Sequence, residues 1–244
     1  TTAKTLAWLL EKPLVPVDHI HGHVYSVCLD TDLSPWPCVS LVVSGGHTSL
    51  FCSRSPLEHE PLGRTMDDAA GEAFDKVAAI LELPYPGGPS IDRLSQKGDP
   101  KKVHFKRSVV GESGLDFSFS GIKTGVLYHV RGHDMLRSAA RLSEGEKADI
   151  ASGFQEAMVD MLVETTFRAV VESRADRIVL GGGVVANSRL RSRFQEAARQ
   201  ADLECHIPPM KYCTDNAAMA AGLGAHLLDA GRTADLGLEA RAHA

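Results

Sequence analysis

The chain has 244 residues, enough for one large domain or two smaller lobes with a real core, and its 43% hydrophobic content is ordinary for a globular protein. No apolar run is long enough to span a bilayer, and the net charge of −5 excludes a chain-wide basic footprint for nucleic acid. Five dispersed cysteines (Cys28, Cys38, Cys52, Cys205, Cys213) with no CxxC pair point to reduced thiols in a cytoplasmic protein rather than a disulfide framework.

The first residue is Thr1, and residues 3–11 read as a helix with Leu6, Leu9 and Leu10 on one side. "LVPV" follows at once as a short strand. That is an abrupt start, so an upstream portion is expected to be missing. "VDHIHGHVYS" comes next. On a helical turn the imidazoles of His19 and His23, four residues apart, face one way. "CVSLVVSGGHTSLFCS" reads as a β-hairpin with a tight Gly-Gly turn. "MDDAAGEAFDKVAAILEL" reads as an amphipathic helix whose apolar face carries Ala73, Phe74, Val77, Ile80 and Leu81, ended by "PYPGGP". From about Ile91 to Ser143 the pattern weakens into a smaller helical and loop region. Its lysines (Lys97, Lys101, Lys102, Lys106, with Arg107) read as a solvated loop. "EKADIASGFQEAMVDMLVETTFRAVVES" is a long helix. "DRIVLGGGVVANSRLRSRFQEAARQ" is a strand, a triple-glycine turn and a helix. "LECHIPP" is a strand and "TDNAAMAAGLGAHLLDAG" a final helix. Strands alternating with helices predict an α/β architecture.

Four segments carry possible chemistry. In "SGGHT" (Ser44 to Thr48) glycines let the backbone approach a ligand and present N–H groups to an anion, although a Gly-Gly pair also makes a plain turn. In "LGGGVVANSRL" a buried strand runs through glycines into a helix, the general layout of a phosphate or nucleotide site, but not the GxGxxG fingerprint. Asn187 there is either an N-cap or a reader of a sugar or base edge. Asp75 lies with Asp68 and Glu72 on a polar helix face, where Glu72 and Lys76 form an i,i+4 pair. Asp92 in "PGGPSIDRL" is a turn residue or a hydroxyl acceptor. The fourth is the His19/His23 pair, for which Asp215 is a candidate third metal ligand. N-cap duty shared with Thr214 is the other reading of Asp215.

Together "VDHIHGHVYS", "LVVSGGHTSL", "MDDAAGEAFDKVAAILELPYPGGPSID", "LDFSFSGIKTGV", "VLGGGVVANSRLR" and "YCTDNAAMAA" resemble, in order, the TsaD/Kae family (formerly Gcp), which makes threonylcarbamoyladenosine in tRNA; the resemblance extends to a tail like "LGLEARA". It implies the two-lobed actin-like (ASKHA, sugar kinase/Hsp70-type) α/β fold with part of the N-terminal lobe missing, because the family's opening strand and turn are absent. Residues 1–35 and 216–244 are then a remnant of the N-terminal lobe and 36–215 the second lobe, with an insertion at about 91–143.

The implied reaction is metal-assisted transfer of the threonylcarbamoyl group from threonylcarbamoyl-AMP to N6 of the adenosine 3′ of the anticodon. The implied metal ligands are His19, His23 and Asp215, holding Fe(II) first and Zn(II) second. The implied substrate-binding positions are Val42, Val43, Ser44, Gly45, Gly46, Asp75, Gly88 and Asn187, with Asp92 as a further one; no catalytic residue is assigned. Expected partners are the tRNA anticodon loop, a TsaB-like paralogue and a TsaE-like ATPase, with no membrane. Many bacterial members carry Glu where this chain has His21. A metalloprotease would put Glu directly after the first histidine, where Ile20 stands. Remaining alternatives are an inactive fragment that acts as a subunit-binding scaffold, or an ATPase or kinase of the same fold.

Overall fold

Every residue of Cys38–Val43 (β1) is buried, as an apolar run without alternation requires of a strand covered on both faces. It pairs antiparallel with Thr48–Ser55 (β2), and β2 pairs antiparallel with Glu58–Arg64 (β3). On its other edge β1 runs parallel to Arg177–Gly181 (β4), which runs parallel to Glu204–His206 (β5). The sheet order is β3-β2-β1-β4-β5. The computed structural model describes residues 1–132 and 137–240. Residues 133–136 of the 91–143 region, and 241–244 at the end of the 216–244 segment and the "LGLEARA" stretch, lie outside the described residues.

The helices are Thr2–Leu9 (α1), His19–Tyr25 (α2), Ala70–Ile80 (α3), Gly87–Ser95 (α4), Ser120–Arg131 (α5), Glu144–Ser173 (α6), Ser188–Gln200 (α7) and Ala217–Asp229 (α8). Side chains alternate across β1 and β4, so the sheet has two differently covered faces. Val39, Leu41 and Val43 share one face with Ile178 and Leu180, beneath Phe74, Phe154, Leu162 and Phe194. Phe74 of α3 and Phe154 of α6 meet edge to face, their ring centroids 5.2 Å apart. Val42 and Val179 point the other way, onto Val24 of α2 and Val27. No described helix is long and apolar enough to cross a membrane.

The hairpin, the long helix and the strand–glycine–helix unit form as expected. A capping box fixes the start of α6: Ser143 accepts from the Glu146 backbone N–H while the Glu146 carboxylate receives the Ser143 N–H. Three expectations fail. "LVPV" is not a strand, and only Leu14 makes an isolated bridge, to Ala234. Pro13 and Pro16 lack the N–H groups a ladder needs. The helix expected from Met66 begins at Ala70, because Asp67 and Asp68 serve other partners. The Asp67 carboxylate accepts from Ser118 Oγ, Ser120 Oγ and the Phe119 N–H, and Asp68 pairs with Lys76 at 2.7 Å and with Lys123. Gly87 and Gly88, expected in a terminating turn, instead open α4. The exposed, polar β3 carries no apolar alternation that would have announced it.

Candidate metal centre and substrate cleft

Asp18 caps α2, its carboxylate accepting the His21 backbone N–H at 2.9 Å. The cap turns the histidine stretch into a helix instead of a bend. His19 and His23 then sit one turn apart, with ring centroids separated by 4.8 Å. The chain returns to them through α8. Asn216, not Asp215 or Thr214, caps α8 by accepting the Met219 N–H at 2.8 Å, which removes the alternative reading of Asp215 as the cap. The Asp215 carboxylate is thereby left free for the histidines. Its Oδ1 lies 3.1 Å from His23 Nε2 and 3.3 Å from His19 Nε2, and the three possible donor atoms fall within 4.8 Å of one another.

The donor set fits a divalent cation: two imidazole nitrogens and a carboxylate oxygen suit Fe(II) or Zn(II). His23 is 0% exposed and its Nδ1 has no partner among the described residues. Burial first, and His19 beside it, push the His23 imidazole below the ordinary histidine value, against the pull of Asp215. The neutral ring keeps a lone pair for a ligand. His19 and Asp215 are exposed, so the site opens outward from its buried member.

His21 points away from this site. It packs on His59 (centroids 4.3 Å) and edge-on against Phe51 (5.7 Å). The carbonyl of Pro56 can only accept, so His59 carries its proton on Nε2, 3.0 Å away. Its Nδ1 therefore accepts from Ser53 Oγ (2.8 Å), and Ser53 accepts from Ser40 Oγ (2.8 Å). Burial, and His21 beside it, push His59 down to about 4. A lowered histidine pKa stabilises the fold fully above about 6.5, and that contribution is lost as pH falls from there towards 4. We expect the Tm of His59→Gln to fall less than that of the wild type between pH 6.5 and 4.5, measured by scanning calorimetry; parallel curves would refute the assignment.

The glycine turns meet beside the metal candidates. β1 and β4 are parallel, so Val43 and Gly181 end on the same edge of the sheet, where ligands of open α/β sheets bind. A Cβ on Gly181 would overlap the His23 carbonyl, so this glycine lets α2 close on the end of β4. Gly182 has φ +97° and a Cβ there would overlap the Val43 carbonyl. By contrast a Cβ on Gly45, Gly46 or Gly88 would meet no heavy atom within 4 Å, so these three border open space. Val42 and Val43 are buried in β1, and Ser44 holds the turn by accepting the His47 N–H on its Oγ and donating its own N–H to the His47 carbonyl.

The other sequence candidates make structural hydrogen bonds of their own. Asp75, read as facing solvent, accepts the Gly87 N–H on Oδ1 at 2.7 Å, tying α3 to α4, while its Oδ2 has no described partner. Both oxygens of Asp92 accept from Ser188, from its N–H and its hydroxyl. Asn187 is the N-cap of α7, accepting the Leu190 N–H at 2.9 Å, and its amide donates to Gln155 Oε1 at 2.7 Å. Glu72 and Lys76 pair at 2.8 Å as the spacing predicts. Asp18 and Asn216, the caps that aim the metal candidates, were not singled out in the sequence; the cap residue standing just before each helix was their only signal.

The family model for TsaD, described as tRNA N6-adenosine threonylcarbamoyltransferase, matches residues 1–222. A curated protein of that name from Anaeromyxobacter sp. (strain Fw109-5) is 47% identical over 240 residues, which is 98% of this chain and 70% of that protein. One from Thermosipho africanus (strain TCF52B) is 46% identical over 238 residues, again 98% of this chain and 70% of that protein. Among solved structures, full-length HypF in the phosphate- and nucleotide-bound form gives a TM-score of 0.68 at 13% identity, covering 92% of this chain and 37% of that one. T. kodakarensis HypF gives 0.68 at 15% identity, covering 93% and 38%. At such identities the likeness is one of fold, in keeping with the actin-like α/β class.

Proposed function

The chain belongs to the TsaD family of tRNA N6-adenosine threonylcarbamoyltransferases, and from that premise we propose that it carries the transfer step: the threonylcarbamoyl group moves from threonylcarbamoyl-AMP to N6 of the adenosine 3′ of the tRNA anticodon. Acyl transfer to tRNA is what the relatives' shared name describes, and it favours an enzyme over a scaffold or a kinase. The observation that carries the assignment is the convergence of His19 Nε2 and His23 Nε2 on one Asp215 oxygen, beside an open glycine edge.

In the reaction the N6 amine forms a bond to the carbamoyl carbon, the bond from that carbon to the phosphate oxygen breaks, AMP leaves and N6 gives up a proton. A divalent cation held by His19, His23 and Asp215, Fe(II) before Zn(II), would supply Lewis acidity at this point. The residues of this chain do the remaining work. Gly45 and Gly46 offer backbone N–H groups to the phosphate or acyl oxygens at an open turn, and Val42, Val43 and Ser44 fix that turn at the end of β1. Asp75 Oδ2 is available to accept from a hydroxyl. Gly88 borders open space, and Asp92 and Asn187 hold the first turn of α7. The anticodon loop is single-stranded, so its adenosine can be splayed into such a cleft.

The wider setting is part of the proposal: a TsaB-like paralogue and a TsaE-like ATPase as partners, and the cytoplasm as location. So is the division of the chain, with residues 1–35 and 216–244 in one lobe and 36–215 in the other. Supporting the division, α1 buries no residue and leaves Trp8 67% exposed, as expected of a helix whose partner surface lies outside this sheet. The test is expression of this chain, and of the chain extended upstream, in a strain depleted of its own transferase. Mass spectrometry of tRNA nucleosides should show threonylcarbamoyladenosine restored by at least one of them; restoration by neither would refute the proposal.

A further inference from the structure

We propose that Tyr85 and Arg93 form a clamp for the anticodon loop at the rim of this cleft, Tyr85 stacking on an unpaired base and Arg93 holding the adjoining phosphate. The inference rests on tRNA being the substrate. Tyr85 is 84% exposed, the most exposed of the large apolar and aromatic side chains described. It stands between Pro84 and Pro86, whose rings restrict the backbone on either side, and just before Gly87 and Gly88. A large aromatic held out into solvent by a stiff loop costs apolar exposure and contributes nothing to the core.

Arg93 is brought to the same spot by a relay of hydrogen bonds. Its guanidinium donates to Ser90 Oγ at 3.4 Å, and Ser90 Oγ donates to the Pro84 carbonyl at 2.8 Å, one residue from Tyr85. The guanidinium is thereby tied to the backbone next to Tyr85, in the loop that runs into Gly87 and Gly88. Lys97 follows Arg93 one turn later. Neither has an ion pair among the described residues, whereas Lys102 pairs with Asp149, Arg107 with Glu164 and Arg189 with Glu156. In a chain of net charge −5, Arg93 and Lys97 are two exposed cations close along the chain to the exposed Tyr85. An aromatic platform plus an adjacent unpaired cation is the chemistry that grips single-stranded RNA, the ring taking any base face and the cation the backbone.

The experiment is binding of an unmodified anticodon stem-loop RNA to the full chain, by fluorescence anisotropy across a salt series. Tyr85→Ala should weaken Kd roughly ten- to a hundredfold, as loss of one base stack does, with Tyr85→Phe close to wild type. Arg93→Gln should lower the slope of log K against log salt by about 0.7 for the one phosphate lost. A perfectly paired RNA duplex of the stem sequence should not distinguish Tyr85→Ala from wild type. Unchanged Tm values show that the variants are folded, since both side chains are exposed. Equal affinities of wild type and Tyr85→Ala for the stem-loop, or equal losses on loop and duplex, would overturn the clamp. Failure of the wild type itself to bind the stem-loop would instead remove the tRNA reading beneath it.

Discussion

Asp215→Ala is expected to abolish threonylcarbamoyladenosine formation and to leave the purified protein without its metal. Asp215 contributes the oxygen on which both imidazoles converge, at 3.1 and 3.3 Å. Losing a partner outside the ligand shell already costs a metal site about 10–100-fold in affinity, so losing a direct ligand costs more. The residue is well chosen for the test because its side chain is exposed and Asn216, not Asp215, caps α8. The fold should survive, with Tm near that of the wild type. His23→Ala would be less clean: the ring is buried, so its removal opens a cavity as well as a coordination position. His19→Ala, on the exposed side, should match Asp215→Ala in both readouts. Metal content is measured by elemental analysis of protein purified without chelator. Modification is measured by nucleoside mass spectrometry in the depleted strain. Full metal content or normal modification in both exposed variants would refute the centre.

Gly182→Ala is expected to destabilise the protein by on the order of 3 kcal/mol or more, enough to lower Tm by about 6–12 °C. Two penalties coincide there. The backbone has φ +97°, which an L side chain rarely adopts, and the added Cβ would overlap the Val43 carbonyl. Relief requires the ends of β1 and β4 to part, and these ends carry both glycine turns. Gly45→Ala is the contrast: its Cβ would meet nothing within 4 Å, so stability should change little while the open edge assigned to the substrate is filled. Urea unfolding and the modification assay read the two effects separately. Equal stability of the two variants would show that the Gly182 turn relaxes freely. Undiminished modification by Gly45→Ala would show that the substrate lies elsewhere.

The site is built largely from features that aim side chains, and these differ in how plainly they are written. Four-residue spacing put His19 and His23 on one side once the segment was helical, but only Asp18 as its cap made it helical. The same is true at the other end, where Asn216 takes the capping that was the alternative role for Asp215 and Thr214. His21 sits between two ligand candidates in the chain and faces away from both, onto His59 and Phe51. His21 is therefore part of an aromatic packing cluster rather than of the candidate metal site.

The sequence by itself determined what depends on local repetition and on residue type. Apolar runs and 3.6-residue periods carried β1, α3, α6, α7 and α8 within a few residues, and glycines marked both turns. Six motifs in order carried the family. Only the tertiary structure decided what depends on partners far along the chain. Asp67 and Asp68 leave α3 because Ser118, Ser120 and Lys123 claim them, some 50 residues away. β3 exists because β2 offers it an edge, although its own residues show no apolar alternation. Asp215 reaches His23 across 192 positions of sequence. Periodicity is a property of neighbours in the chain. Convergence is a property of neighbours in space, and here it is set by how α8 packs on α2, which lies against the two parallel strands.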